Sequence, residues 1–313
     1  MDWKPVVVND QGLIKVPKRW LQIHYYEALN ILFRFENSLR VFVYCVLKNE
    51  FLERWKDCNF SISGSNAQSI AGIASKRISQ AESFGYLGFD IKAAMMHLTS
   101  GELVELITSD AYWPKFKGYF RGQKDIIKNK LLEIGSIRNS LAHFRPFKNE
   151  DIELVKQNAR HTLLGVEASL ECIFMQGLRV PTNTPDDWYK AISTLGSDHV
   201  KTVPYYSRDE LWIKVQLSFT ATQFKKSKWS ERFFAFDIAK INSPNLLKMQ
   251  LTLAKFVTYV SENVNYPQLD GEFNLQVTKD INFVFRKDVL VANFQEIADS
   301  FREVLVVITE ECN

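Results

Sequence analysis

Apolar residues recur at helical spacing through most of the first half of the chain and at alternate positions through much of the second. At about 100° per residue, Ile127, Leu131, Ile134 and Leu141 fall on one side of a helix, with Arg138 in the middle of that side. A long helix is predicted from near Trp20 to about Trp55, apolar on more than one side and therefore central. Leu29, Phe33, Val43 and Leu47 share one of its sides with Glu36 and Arg40. Further helices are predicted over about Ala67 to Phe84 and Glu150 to Phe174, the latter with Val155, Leu163, Val166, Leu170 and Phe174 inward. Ile91 to Met96 reads as a short helical turn, and Thr99-Ser100-Gly101-Glu102 as a helix start with a hydroxyl cap ahead of Leu103 to Ile107. Val6 to Val8 suggests a short strand, while Phe60 to Asn66 and Gly85 to Asp90 read as breaks.

From Gly177 to Val203 the composition shifts to prolines and polar residues, with a short helix around Trp188 to Leu195. Beyond it, Glu210 to Thr222, Arg232 to Ala239, Glu272 to Thr278 and Ile281 to Arg286 alternate with period two and predict strands. Thr278-Lys279-Asp280 reads as a hairpin turn, Pro244 to Val264 as helical, and Asn293 to Thr309 as a last amphipathic helix. The expected fold class is α+β: an all-α helical bundle over residues 1–178, followed by a smaller α+β module over 200–313.

Charged residues on the apolar sides change this picture. A guanidinium stays protonated at any relevant pH, so Arg138 on a core-facing stripe needs an anionic partner, solvent or a ligand. Asn139 and His143 are four apart on an adjoining, more polar face, and Pro146 disfavours helix at Arg145, which puts the histidine near a helix end. Glu36 and Arg40, also four apart, read as an internal ion pair that fixes helix docking.

The segment Arg138, Asn139, Ser140, Leu141, Ala142, His143 has the form Arg-Asn-x-x-x-His and resembles the signature of the HEPN superfamily of all-helical domains. FRFENSLRVFVYCVL (Phe33 to Leu47), HLTSGELVELI (His97 to Ile107) and the flanking IGSIRNSLAHFRPF extend the resemblance over roughly the first half of the chain. The resemblance implies a metal-independent endoribonuclease with Arg138, Asn139 and His143 as catalytic residues and Glu36 and Arg40 behind them. It further implies RNA as substrate, no cofactor, products with a 2′,3′-cyclic phosphate and a 5′-hydroxyl, and a homodimer that faces two Arg138 helices across one cleft. Antiviral defence or a toxin system, with an antitoxin or defence partner, is the family's usual setting. The alternative it leaves open is a non-catalytic HEPN subunit that dimerises and binds nucleotide, RNA or protein. The C-terminal module lies outside the resemblance.

Composition bounds these readings. Hydrophobic residues at 46% and charged residues at 24% fit a globular protein, and a net charge of +3 neither supports nor excludes RNA. Tyr112 to Arg121 interleaves aromatic and basic residues, which suits either base stacking or a loop whose rings plug the bundle while its lysines face solvent. Cys45, Cys58, Cys172 and Cys312 are scattered, without metal-ligand spacing, and read as reduced thiols. His24, His97, His161 and His199 each stand alone, and no metal site is expected. The chain start lacks the pattern of a secretory leader, and the most apolar run, Val41 to Leu47, is far short of the ~18 residues of a membrane span. A cytoplasmic protein with no membrane association is expected.

Overall fold

The structure is a computed structural model and describes residues 24–61, 66–84, 93–143, 149–175, 179–181, 185–222, 224–226, 233–235, 241–265 and 276–312. The fold is α+β, with a helical N-terminal part. Two compact units divide the chain: one of Met1–Leu47 with Arg54–Leu170, the other of Lys48–Glu53 with Glu171–Asn313. Composition places a single boundary between 178 and 200, whereas both units are discontinuous in sequence. The expected strand at Val6 to Val8, the start of the first helix at Trp20 and the break at Gly85 to Asp90 lie outside the described residues.

In the first unit, α1 (His24–Phe51) continues into a 3-10 turn over Leu52–Asp57. It buries Leu32, Phe35, Leu39, Phe42, Val43, Val46 and Leu47, positions too widely spread around the helix for a surface element. The expected loop at Phe60 to Asn66 begins with β1 (Asn59–Phe60), which pairs with β2 (Gln68–Ser69) ahead of α2 (Ile70–Phe84). A 3-10 turn at Ala94–His97 leads to α3 (Ser100–Thr108), where the expected hydroxyl cap is Thr99 and forms a full capping box with Glu102. Thr99 Oγ1 accepts from the Glu102 backbone N–H at 3.3 Å, and the Thr99 N–H donates to Glu102 Oε2 at 2.7 Å.

The aromatic-basic stretch forms α4 (Trp113–Phe116) and a 3-10 turn at Lys117–Tyr119. Phe116 and Phe120 are buried against Phe42, and Lys115 and Lys117 are exposed, so its rings plug the bundle. α5 (Lys124–Ala142) buries Ile127, Leu131, Ile134 and Leu141. α6 (Asn149–Phe174) buries Val155, Leu163, Val166 and Leu170. Gly165 is required there: a Cβ would stand 1.9 Å from the Tyr119 carbonyl oxygen. Phe174, expected to point inward with them, is exposed; it falls in the second unit, where its ring meets Tyr259 edge-on at 4.6 Å.

The second unit is built on a four-stranded antiparallel sheet of β3 (Val200–Tyr206), β4 (Trp212–Thr222), β8 (Gln276–Arg286) and β7 (Tyr259–Asn265), in that spatial order. Two short strands, β5 (Phe224–Lys226) and β6 (Phe233–Ala235), pair apart from it. β8 corrects the hairpin expected at Thr278-Lys279-Asp280, because the strand runs straight through those residues. Its lysine is tolerated there because Lys279 is buried with partners: Nζ lies 2.8 Å from Glu262 Oε2 and donates to the Ile241 carbonyl at 2.6 Å.

The helix expected over Pro244 to Val264 is likewise interrupted. α8 (Ser243–Met249) and α9 (Leu251–Phe256) meet at Gln250, whose ψ of 78° is not helical, and Val257 turns the chain into β7. α7 (Asp187–Ser193), α10 (Lys287–Ala292) and α11 (Phe294–Cys312) complete the unit. Its core packs Ile213, Val215, Leu217 and Phe219 with Ile281, Phe283 and Phe285 of the sheet against Ile297, Phe301, Val304 and Ile308 of α11. Among the described residues, no helix is long and apolar enough to cross a membrane.

Candidate functional site

Arg138 stands one turn after Ile134 and just under one turn before Leu141 on α5, which carries its side chain toward α1 alongside the buried stripe. There its Nε donates to Glu36 Oε2 at 3.2 Å. The same carboxylate takes Arg40 Nη2 on Oε1, one turn further along α1. Glu36 therefore joins two guanidiniums: it forms the expected ion pair with Arg40, and it reaches Arg138.

The two arginines are held differently. Arg40 is nearly buried and all its donor nitrogens are engaged, with Nε and Nη2 on the Leu98 carbonyl at 3.2 and 3.0 Å and Nη1 on Asn37 Oδ1 at 3.1 Å. Arg138 keeps 35% of its side-chain surface exposed, gives Nη1 to Asn139 Oδ1 at 3.4 Å, and offers Nη2 to no described residue. One carboxylate against two guanidiniums leaves an excess of positive charge, and the part not tied down is the outer edge of Arg138.

Arg138 lines an open cavity of about 350 Å³ with Glu36 and Arg40, together with Leu29, Phe33 and Met96 among others. Phe33 is 66% exposed and Leu29 46%, so the charged floor has an apolar rim. Asn37, Met96 and the Leu98 carbonyl are members that sequence reasoning missed. Leu98 does fall within the HLTSGELVELI segment, but a backbone acceptor has no signature in side-chain pattern.

His143 occupies the C-cap of α5, where its N–H donates to the Asn139 carbonyl at 3.1 Å. The residue is exposed, does not line the cavity, and no described residue hydrogen-bonds its imidazole. The structure thus brings Arg138, Glu36 and Arg40 together, places Asn139 at their exposed margin, and leaves His143 beside them at the helix end.

Two neighbouring features frame the site. Glu102 receives Arg77 through both oxygens, at 2.6 and 2.7 Å, and Arg77 also donates to the His97 carbonyl, which pins the turn before α3. Burial pushes the Glu102 carboxyl up, but Arg77 and the Thr99 donors outweigh it and hold it below the usual range. Cys45, five residues after Arg40 on α1, is a buried thiol that burial pushes up to about 12. Among the described residues no cluster of three His, Cys, Asp or Glu side chains is placed to hold a metal ion.

An arginine fixed by a carboxylate, with its outer edge open to a cavity, can bind an anion of phosphate type and stabilise charge that develops on it. An exposed imidazole nearby can take or give a proton. No family model, no curated protein and no solved structure matches this chain.

Proposed function

We propose that the chain is a metal-independent endoribonuclease of the HEPN type that works as a homodimer. The observation that carries this reading is Arg138, anchored by Glu36 yet presenting a free edge in a cavity where positive charge exceeds negative. A scissile phosphate on Arg138 receives its 2′-oxygen as nucleophile. The P–O5′ bond breaks, leaving a 2′,3′-cyclic phosphate and a 5′-hydroxyl. The 2′-hydroxyl proton goes to one imidazole, and another group protonates the departing 5′-oxygen from the opposite side. One His143 cannot easily stand on both sides of the phosphorus, so a second chain supplies the other. Asn139, already within reach of Arg138, orients the phosphate. The exposed Leu29 and Phe33 at the cavity rim give the second chain an apolar surface to cover.

A cytoplasmic role in antiviral defence or a toxin system, held in check by an antitoxin or defence partner, follows from the same reading. The C-terminal module then serves as sensor, partner site or substrate selector. Buried, unpaired Cys45 and Cys58 suit a reducing compartment.

A second reading is favoured by one observation: His143 does not line the cavity that holds Arg138. In it the chain is a non-catalytic HEPN subunit that dimerises and binds RNA or nucleotide through Arg138. Mixing wild-type chains with an excess of His143→Ala chains separates the two. RNA cleavage that falls further than dilution of the wild-type chains accounts for supports the composite nuclease, because a mixed dimer holds one His143 where two are needed. RNA binding by the wild type without any cleavage supports the binding subunit, and full cleavage by a concentration-independent monomer overturns the composite site.

A further inference from the structure

A second cavity, of about 270 Å³, opens on the other side of Arg40. Its walls are Tyr44 and Trp55, whose rings meet edge-on at 5.2 Å, with Met95, Met96 and Ala93 completing them. Lys56 Nζ sits 5.6 Å above the Trp55 ring. Arg40 and Met96 line both cavities, so the charged one and the aromatic one adjoin. Glu36, Arg40 and Tyr44 follow one another at four-residue steps on one face of α1, so Tyr44 stands about 6 Å from Arg40 and about 12 Å from Glu36 along the axis.

We propose that this aromatic cavity takes the purine base of the nucleotide whose phosphate lies on Arg138. The inference rests on the phosphate-binding reading of the Arg138 cavity. Aromatic rings and polarisable methionine sulfurs bind the faces and edges of flat rings. The walls offer few hydrogen-bonding groups, so selection goes by stacked area, and a two-ring base gains more than a one-ring base. Tyr44 supplies a hydroxyl that stays neutral, because burial and the neighbouring Cys45 push its phenol up to about 12. Arg40, with its nitrogens already engaged, forms the fixed partition between base and phosphate.

The test is calorimetric titration of the full chain with adenosine 5′-monophosphate, uridine 5′-monophosphate, adenosine and inorganic phosphate. Ala93→Phe is the blocking variant: Ala93 is exposed, has an extended backbone, and lines the cavity, so a ring there fills it without touching the core. The expected result is adenosine monophosphate bound about tenfold tighter than the uridine form, a difference of about 1.4 kcal/mol. Ala93→Phe should lose that preference while keeping inorganic phosphate, and Arg138→Ala should lose phosphate while keeping adenosine. RNA cleavage that depends on Arg138, together with no purine preference or an indifferent Ala93→Phe, overturns the base site and leaves the nuclease. Purine binding blocked by Ala93→Phe, with no cleavage of any RNA, leaves the base site and removes the nuclease. If neither adenosine nor phosphate binds, both fall. A Trp55 fluorescence change that follows protein concentration alone assigns the cavity to a partner chain and overturns the proposal.

Discussion

Glu36 and Arg138 stand 102 positions apart in sequence and meet at 3.2 Å, Oε2 to Nε, with Arg40 on the other oxygen of the same carboxylate. The carboxylate is thus the common anchor for a buried arginine and a half-exposed one, and it ties α5 to α1 at the cavity floor.

Replacing Glu36 with Gln leaves two guanidiniums without their anion. Loss of about 2 kcal/mol is expected, seen as a fall of several degrees in Tm, whereas the same change at the exposed Glu150 should move Tm little. An unchanged Tm for Glu36→Gln would mean that the carboxylate is solvated.

His143→Ala should abolish RNA cleavage and leave Tm near that of the wild type, because the residue is exposed at a helix end and holds nothing in the core. Cleavage by the wild type should persist in EDTA, as expected of chemistry carried by imidazole and guanidinium. Activity lost to chelator and restored by a divalent ion would assign a different mechanism.

The Glu102 carboxyl is held low in the folded state by Arg77 and Thr99 against the opposing effect of burial. A group depressed on folding contributes stability above its unfolded value, about 4.3, and loses it as pH falls through the folded value. Glu102→Gln retains an acceptor for the helix cap but not the titration. Its unfolding free energy should therefore fall less steeply than the wild type's below about pH 4.3. Equal slopes in acid denaturation would refute this assignment.

Lys279→Met should destabilise the second unit by about 1–3 kcal/mol, since it strips Glu262 and the Ile241 carbonyl of their donor. Adding Glu262→Gln should recover part of that loss, and urea unfolding of the two single variants and the double measures the coupling. Strict additivity would mean that the two side chains act independently.

Much of the first unit was legible because its signals are local. The phase of Ile127, Leu131, Ile134 and Leu141, and the Thr99 cap, follow from periodicity and spacing over one or two turns. The Glu36–Arg40 pair was legible too, since charges on apolar sides demand partners, whereas the meeting of Glu36 with Arg138 followed only from the family resemblance. The second unit hid its edges. β3 begins within the Gly177 to Val203 stretch of prolines and polar residues and has no strand signal there, and its Pro204 is admissible because β3 is an edge strand. Lys279 and Asp280 read as a turn because polar pairs usually are, and the partner that buries Lys279, Glu262, lies on another strand. The Tyr44–Trp55 cavity also escaped notice, for it is assembled from α1, the turn after it and Ala93 to Met96, segments whose meeting no single periodicity encodes.

The central place of β8 bears on when the second unit can exist at all. β8 pairs with β4 from Trp212↔Arg286 to Thr222↔Gln276, and with β7 on its other side. During synthesis, β3 and β4 emerge early and wait, with Val215, Leu217 and Phe219 uncovered, until the strand between them and β7 has left the ribosome. Closing so long a loop before any reward makes for slow folding, and in that interval the β3–β4 hairpin carries an uncovered apolar face open to wrong pairing.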